Sequence, residues 1–392
     1  MSAGKWKTVA LGEVAKIVSG ATPKTDKSEF WGGNIPWVTP ADLSNHQGIN
    51  FGGSCKKLTE KGYKSCSATM LPIGSILFSS RAPIGHSAVT TFPVCTNQGF
   101  KNLIPNDKLD PVFGFFTLKY LTPQIISLGR GATFAEVTKE IMEEIEIPLP
   151  DLPTQKRLSA LLTRADRLRR LHRFALARCE EMLETAFLEK FASEDFPTTS
   201  VEALTTGKGS MRTGPFGSQL LVSEFVESGI AVLGIDNAVQ NRFAWDQRRF
   251  ITEAKYRDLK RYTVKPRDIL ITLMGTCGRC AVVPDNIPTA INTKHLCCVT
   301  IDQQKCLPLY LQGAFLFHPA VRHQLGVAKK GAIMDGLNME IISNLEIPVP
   351  PLPLQKQFAH LAQHHERLRR QHTSALQHST HLFQTLLHQT FS

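Results

Sequence analysis

Apolar residues between positions 158 and 186 recur in steps of three and four, at Leu158, Leu161, Ala165, Leu168, His172, Ala175, Cys179, Met182 and Ala186. That is the spacing of a helix with one buried stripe. The same rhythm returns at Phe358, Leu361, His365, Leu368, His372, Ala375, Ser379, Leu382 and Leu386. After Pro153 and Pro353 neither stretch contains Gly or Pro, and proline is tolerated in a helix's first turn. Both read as long helices. At about 1.5 Å per residue, close to 38 residues make a rod of roughly 55 Å, longer than a compact domain requires. Pairing of the two stripes is the economical expectation, through Leu158, Leu161, Leu168 and Met182 of the first helix and Phe358, Leu361, Leu368, Leu382 and Leu386 of the second. The alternative is that each helix packs only on its own domain.

The two helices belong to a longer internal repeat. EIPLPDLPTQKRLSALLTRADRLRRLH (146–172) aligns without a gap against EIPVPPLPLQKQFAHLAQHHERLRRQH (346–372), an offset of 200 residues. The pairs Pro148 and Pro348, Pro153 and Pro353, Gln155 and Gln355, and Lys156 and Lys356 match, as do both RLRR runs. The offset reaches back to Gly131-Ala132 against Gly331-Ala332 and forward to Phe191 against Phe391. Such self-similarity implies two structural units built on one plan. It divides the chain into globular regions at 1–150 and 198–350 and helical segments at 151–197 and 351–392. The fold class is mixed α/β.

The two globular regions share less sequence. One correspondence stands out: GSILFSSRAPIGHSAV at 74–89 and RDILITLMGTCGRCAV at 267–282. Ile76 with Phe78, and Ile269 with Ile271, alternate as in a strand, while Gly85 and Gly278 permit a tight turn that would project Arg81, His86 or Arg279. The second region also carries RRFITEAKYRDLKRYTVKPR at 248–267, where eight basic residues are interleaved with Tyr256 and Tyr262 and face only Glu253 and Asp258. This suits phosphate contacts, and equally a solvated helix face.

Charge sharpens the picture. At 392 residues the chain holds two or three domains, and its formal net charge is +11. A basic field of that size favours polyanionic partners. The opening MSAGKWKTVALGEV has no apolar signal core, no stretch approaches a membrane span, and nine scattered cysteines are an odd count for a disulfide framework. A cytoplasmic protein with reduced thiols and no membrane partner is expected.

Catalytic motifs are sparse. There is no N/D-P-P-Y/F element for stacking a flipped base and no G-x-x-x-x-G-K-S/T phosphate loop. Asp246 with Glu253 and Lys255 forms a carboxylate and E-x-K set of the kind metal-dependent nucleases use. Cys277, Cys280, Cys297, Cys298 and His295 suggest zinc ligands, but adjacent cysteines on a strand face opposite sides, so buried thiols are expected. His360 and His364 share a helical face that is expected to be solvated.

Through the paired I-P-x-P-x-L-P-x-Q-K elements, the opening WKTVALGEVAKIVSGATP (6–23), IPWVTPADL (35–43) and GATFAEVTKE (131–140), the whole chain resembles specificity subunits of type I restriction-modification systems. The resemblance implies two target recognition domains, each reading half of a split site in double-stranded DNA. It also implies two conserved helices packed antiparallel as a coiled-coil ruler, with the halves related by a pseudo-twofold. Such a subunit is not itself an enzyme and holds no cofactor or metal. Two methyltransferase subunits would bring S-adenosylmethionine, and motor-nuclease subunits ATP and Mg. Loop position and repeat equivalence nominate Lys24, Arg81, His86 and Arg130 in the first region and Arg249, Arg279, Lys294 and Lys330 in the second as DNA contacts. A stand-alone metal nuclease and a helical scaffold that binds no DNA are the competing readings.

Overall fold

The computed structural model describes residues 6–44, 46–54, 56–81, 83–129, 136–245, 247–326 and 337–392. The chain forms two compact units, one of residues 1–174 with 372–392 and the other of residues 175–371. Each holds one globular α/β region and part of both long helices, which run Leu152–Phe191 and Leu352–Phe391.

The globular regions share a topology. In the first, strands Ala15–Ser19, Lys101–Pro105, Ile76–Phe78 and Ser87–Thr90 form an antiparallel run, with Asn50–Phe51 added parallel at the edge. A smaller sheet places Trp31–Val38 between Lys56–Leu58, antiparallel, and Cys95–Thr96, parallel. In the second region Met211–Thr213, Leu296–Val299, Ile269–Thr272 and Cys280–Val282 repeat the antiparallel run. Ile230–Leu233, between Phe250–Ile251 and the parallel Ala290–Asn292, repeats the smaller sheet. The expected strand, turn and strand are present in both regions, with Ile76 opposite Val89 and Ile269 opposite Val282.

The structure also exposes likeness that the sequences alone conceal. Ser28-Glu29-Phe30 matches Ser223-Glu224-Phe225, and LTEKGYK at 58–64 matches ITEAKYR at 251–257. Thr59 Oγ1 caps the helix Glu60–Lys64 by accepting the Gly62 N–H at 3.0 Å, and Thr252 Oγ1 caps Glu253–Leu259 by accepting the Lys255 N–H at 3.2 Å. Lys61 pairs with Glu29, and Lys255 with Glu224 at 2.6 Å. The E-x-K triplet therefore sits at a helix start that both repeats share, although the first has Glu60-Lys61-Gly62 there, and Lys255 is already ion-paired; Asp246 lies outside the described residues.

The duplicated Pro-rich joint has an equally duplicated role. Strand Glu146–Pro148 pairs with Thr8–Ala10, and Glu346–Pro348 with Thr198–Ser200. Just beyond each joint sits a fully buried glutamine. Gln155 Oε1 accepts the Asp110 N–H at 2.8 Å, while its Nε2 donates to the carbonyls of Lys108 at 2.9 Å and Pro150 at 2.8 Å. Gln355 does the same with the Leu307 N–H and the Lys305 and Pro350 carbonyls. Each clamp ties the start of a long helix to the loop that launches the helix of its globular region, Pro111–Leu128 or Pro308–Phe317.

Within each unit the long helices run antiparallel. In the first, Arg169 lies over the Phe383 ring and His172 faces His372, with ring centroids 6.2 Å apart. In the second, Cys179 meets His365 and Phe187 meets Phe358. One column of the expected seam holds, with Ala165, Cys179, Phe358 and Ser379 buried and His172 facing His372, while the other departs from the sequence expectation. Leu161, Leu168, Met182, Leu361 and Leu382 are exposed, Leu158, Leu368 and Leu386 are half-buried, and Phe358 is buried. In that second column the inward positions are the next residue along, Leu162, Arg169, Ala362 and Phe383. One residue turns a helix by about 100°. The sequence offers Leu161-Leu162 and Leu382-Phe383 as adjacent apolar choices, and packing on the globular regions selects the second of each pair.

Asp166, almost fully buried, is ion-paired to Arg169 at 2.6 Å and Arg170 at 2.9 Å. Glu366 repeats this with Arg369 at 2.7 Å and Arg370 at 2.8 Å. Burial opposes ionisation of the Glu366 carboxyl, but hydrogen bonds and charge from the two arginines outweigh it and hold its pKa at about 2. Because the folded pKa lies below the ordinary glutamate value of 4.5, this stabilisation is complete above that value and disappears as pH falls toward 2. Glu366→Gln is expected to lower stability by about 1–2 kcal/mol at neutral pH. In urea unfolding the deficit should narrow below about pH 4.5; an undiminished gap at pH 3 would count against the pair. Gln355→Ala, which strands one N–H and two carbonyls, is expected to cost about 2–4 kcal/mol in the same assay.

Candidate nucleic-acid interface

Loops from three strands gather at one end of each main sheet. In the first region the turn after Ile76–Phe78 is built by Ser79, whose hydroxyl donates to the Pro83 carbonyl and accepts the His86 N–H at 2.9 Å. The Gly85 N–H closes it onto the Ser79 carbonyl at 3.0 Å. Thr272 repeats every contact, donating to Thr276 and accepting the Arg279 N–H at 3.0 Å, with the Gly278 N–H on the Thr272 carbonyl at 2.9 Å. Gly85 (φ 101°) and Gly278 (φ 74°) both occupy the left-handed region. The sequence placed both glycines correctly.

Beside each turn lies the short connection into the neighbouring strand. Ser80 N–H donates to the Gly99 carbonyl, and Leu273 N–H to that of His295, so Asn97, Gln98 and Gly99 occupy the place that Thr293, Lys294 and His295 hold in the second region. A third loop leaves the same end through Gly20 or Gly214. A Cβ on Gly20 would come within 1.9 Å of the Asn97 carbonyl oxygen, and one on Gly214 within 2.0 Å of that of Asn292. The loop backbone therefore crosses its neighbour at a separation only glycine allows. Thr22 hydrogen-bonds Gln98 across the two loops.

Lys24 is exposed on the loop that follows Gly20, and its carbonyl accepts the Trp31 indole N–H at 3.4 Å. Arg81 and half-buried His86 sit on the serine-built turn. Arg279 and Lys294 are exposed at the equivalent end of the second sheet. Arg81 is ion-paired to Glu136 at 2.8 Å, and Lys101 joins them at 3.2 Å. A hydrogen bond from Arg81 is the main reason the Glu136 carboxyl is held below its ordinary pKa. Arg249 is ion-paired to Asp236 beside Gly234, where the strand Ile230–Leu233 ends next to the Thr293 connection. Arg130 and Lys330 lie outside the described residues.

The basic segment of the second region packs beside its glycine loop. Tyr262 O–H donates to Gln219 Oε1 at 3.0 Å, and Arg261 covers the Tyr262 ring. Arg257, Lys260 and Lys265 remain exposed. Sequence reasoning missed the loop after Gly214, including exposed Phe216, as well as Asn97 and Gln98. The signal for it was SGATP at 19–23 against TGPFG at 213–217, both with glycine second.

Cys280, Cys297 and Cys298 are core residues, and Cys277 is half-buried on the turn. Cys280 and Cys297 pack in one cluster and Cys298 in another, on the opposite face of the sheet. Burial pushes the Cys297 thiol up to about 12 and raises Cys280 and Cys298 as well. Among the described residues no cluster of three or more His, Cys, Asp or Glu could hold a metal, and no helix is long and apolar enough to cross a membrane.

Two homologous α/β regions that each present three loops at a sheet end, both clamped to long helices by a buried glutamine, define a duplicated recognition protein. The chain belongs to the type I restriction-modification DNA specificity family, whose domain model matches residues 3–178 and 233–377. It is 28% identical over 382 residues to the MjaIX specificity subunit of Methanocaldococcus jannaschii, covering 91% of this chain and 86% of that one. The EcoR124I/EcoR124II specificity subunit of Escherichia coli is 29% identical over 178 residues, 42% of this chain and 41% of its own. Among solved structures, the type I S subunit from M. genitalium superposes with a TM-score of 0.65 at 14% identity, covering 99% of this chain and 96% of that one. A chain from a type I R-M assembly study superposes with a TM-score of 0.57 at 18% identity, over 97% and 96%. These two establish the fold.

Gly20→Ala or Gly214→Ala is expected to displace its loop and cost about 2–4 kcal/mol in chemical unfolding. A neutral substitution would show that the crossing is looser than described.

Proposed function

We propose that this chain reads a split, asymmetric site in double-stranded DNA, one globular region to each half-site. The observation that carries this reading is the duplicated loop end: one backbone plan in both regions, presenting different side chains. Equivalent frames dock alike on a duplex, while His86 against Arg279, or Gln98 against Lys294, would meet base edges differently. Lys24, Arg279 and Lys294 supply phosphate or base contacts, and Arg81 does so from its pairing with Glu136.

The chain is a recognition subunit, and chemistry belongs to its partners. Two methyltransferase subunits carrying S-adenosylmethionine, and motor-nuclease subunits using ATP and Mg, are the complement that the family relationship supports, in the cytoplasm where the DNA lies. Leu161, Leu168 and Leu171 are exposed along the first long helix and offer the methyltransferase an apolar docking face. The long helices act as the spacer between half-sites. A metal-nuclease reading is disfavoured by the ion pair between Lys255 and Glu224.

Adenine methylation mapped across the host genome tests this. Deleting the gene should remove one split motif. Restoring it with one seven-residue repeat cut from the first long helix should return both half-sites at altered spacing. Methylation unchanged by deletion would refute the recognition role, and half-sites restored at the original spacing would refute the spacer.

A further inference from the structure

The globular regions rest on the long helices through Pro111–Leu128 in one unit and Pro308–Phe317 in the other. The glutamine clamps fix these helices in the same frame, because Gln155 holds the Asp110 N–H and Gln355 the Leu307 N–H. Position by position, Phe113 then corresponds to Tyr310, Phe116 to Gly313 and Lys119 to Leu316.

Across this contact the two units exchange bulk. In the first, Phe116 is fully buried with its ring 6.0 Å from Phe383, and Leu158 and Leu387 of the long helices pack on the same cluster. In the second, the corresponding long-helix residues are Phe358 and Phe187, edge to face at 5.1 Å, and the globular helix answers with Gly313. A Cβ on Gly313 would come within 2.8 Å of both rings. A glycine inside a helix is otherwise unfavourable relative to alanine, so its presence here reflects the space the two phenylalanines occupy.

A second difference lies beside the first. The Phe383 ring has the Lys119 ammonium 5.7 Å from its centroid and the Arg169 guanidinium at 4.6 Å. The counterparts are Leu183, Leu316 and Arg369, so the second unit has no ring at this position. Each helical platform is thus complementary to its own globular region and mismatched to the other.

We propose that this exchange of bulk is a steric key: Phe116 seats the first region against Leu158 and Leu387, Gly313 seats the second against Phe358 and Phe187, and neither region fits the other platform unless its key residue is changed. The consequence for half-site order rests on the DNA-reading role above; the packing itself does not.

Thermal unfolding of the full chain tests the key without DNA. Gly313→Ala is expected to lower Tm by about 3–6 °C despite alanine's better helix propensity. In a Phe187→Leu/Phe358→Leu background the same substitution should leave Tm unchanged or raise it. If that double variant does not fold, Phe358→Leu alone supports the comparison. In the reciprocal test, Phe116→Gly should cost less in a Leu158→Phe/Leu387→Phe background than in the natural chain. A rise in Tm for Gly313→Ala in the natural chain, or equal shifts in both backgrounds, would overturn the key. Host methylation unchanged by deletion of the gene, with these coupled shifts intact, would instead count against the DNA-reading role alone.

Discussion

A buried side-chain amide with all its partners supplied by backbone is the constraint on which each unit depends. Gln155 and Gln355 each satisfy one N–H and two carbonyls where a strand, a Pro-rich joint, a long helix and a globular loop converge. No apolar residue could meet those three demands, and a shorter amide would not reach them together. Once the amide is seated, the start of the long helix and the start of the globular helix are held in one frame. The seam phase, the sheet above it and the direction of the loops follow from that frame. This explains why the glutamine is kept in both repeats together with most of the Pro-rich joint that precedes it.

Rigid and variable parts are separated along the same lines. The backbone of each loop end is held by repeated devices: a hydroxyl that builds the turn, a left-handed glycine that closes it, and a second glycine that lets the next loop cross. These contacts involve small residues and main-chain atoms, so the side chains between them can change without altering the frame. His86 and Arg279 occupy one backbone position with different chemistry. A protein that must recognise different sequences on one scaffold needs that division.

The repeat, the long helices, the mixed α/β regions and the turn at Gly85 and Gly278 were legible in the sequence because they depend on residues with few substitutes. Of the seam, one column was legible and the other was not, since Leu161-Leu162 and Leu382-Phe383 each present two adjacent apolar residues, and only docking on the globular regions chooses between them. The likeness within the globular regions was obscured by length changes: the offset of 200 at Gln155 and Gln355 shrinks to 193 at Thr59 and Thr252, so a single ungapped comparison loses it. The glycine-crossed loops were missed because a close backbone approach leaves only one residue as its trace. For the nominated contacts, loop position was readable for Lys24, Arg279 and Lys294, but not the acids that engage Arg81 and Arg249, which only folding brings alongside.

Those acids change what the net charge of +11 means. Lys61, Arg81, Lys101, Lys255, Arg249 and Arg267 all have carboxylate partners, and Arg169, Arg170, Arg369 and Arg370 neutralise acids on the long helices. Much of the basic content thus stabilises the fold and adds little outward field. Among the described residues, exposed cations without an ion pair include Lys24, Arg279 and Lys294 at the loop ends and Arg257 and Lys260 beside the second. The long-range attraction that concentrates a polyanion near a surface scales with such uncompensated charge. Part of the uncompensated charge lies where the variable side chains are, and part lies along the long helices at exposed Lys156, Arg157, Arg164, Arg167 and Lys356, so the field that attracts DNA reaches beyond the residues that can distinguish one sequence from another.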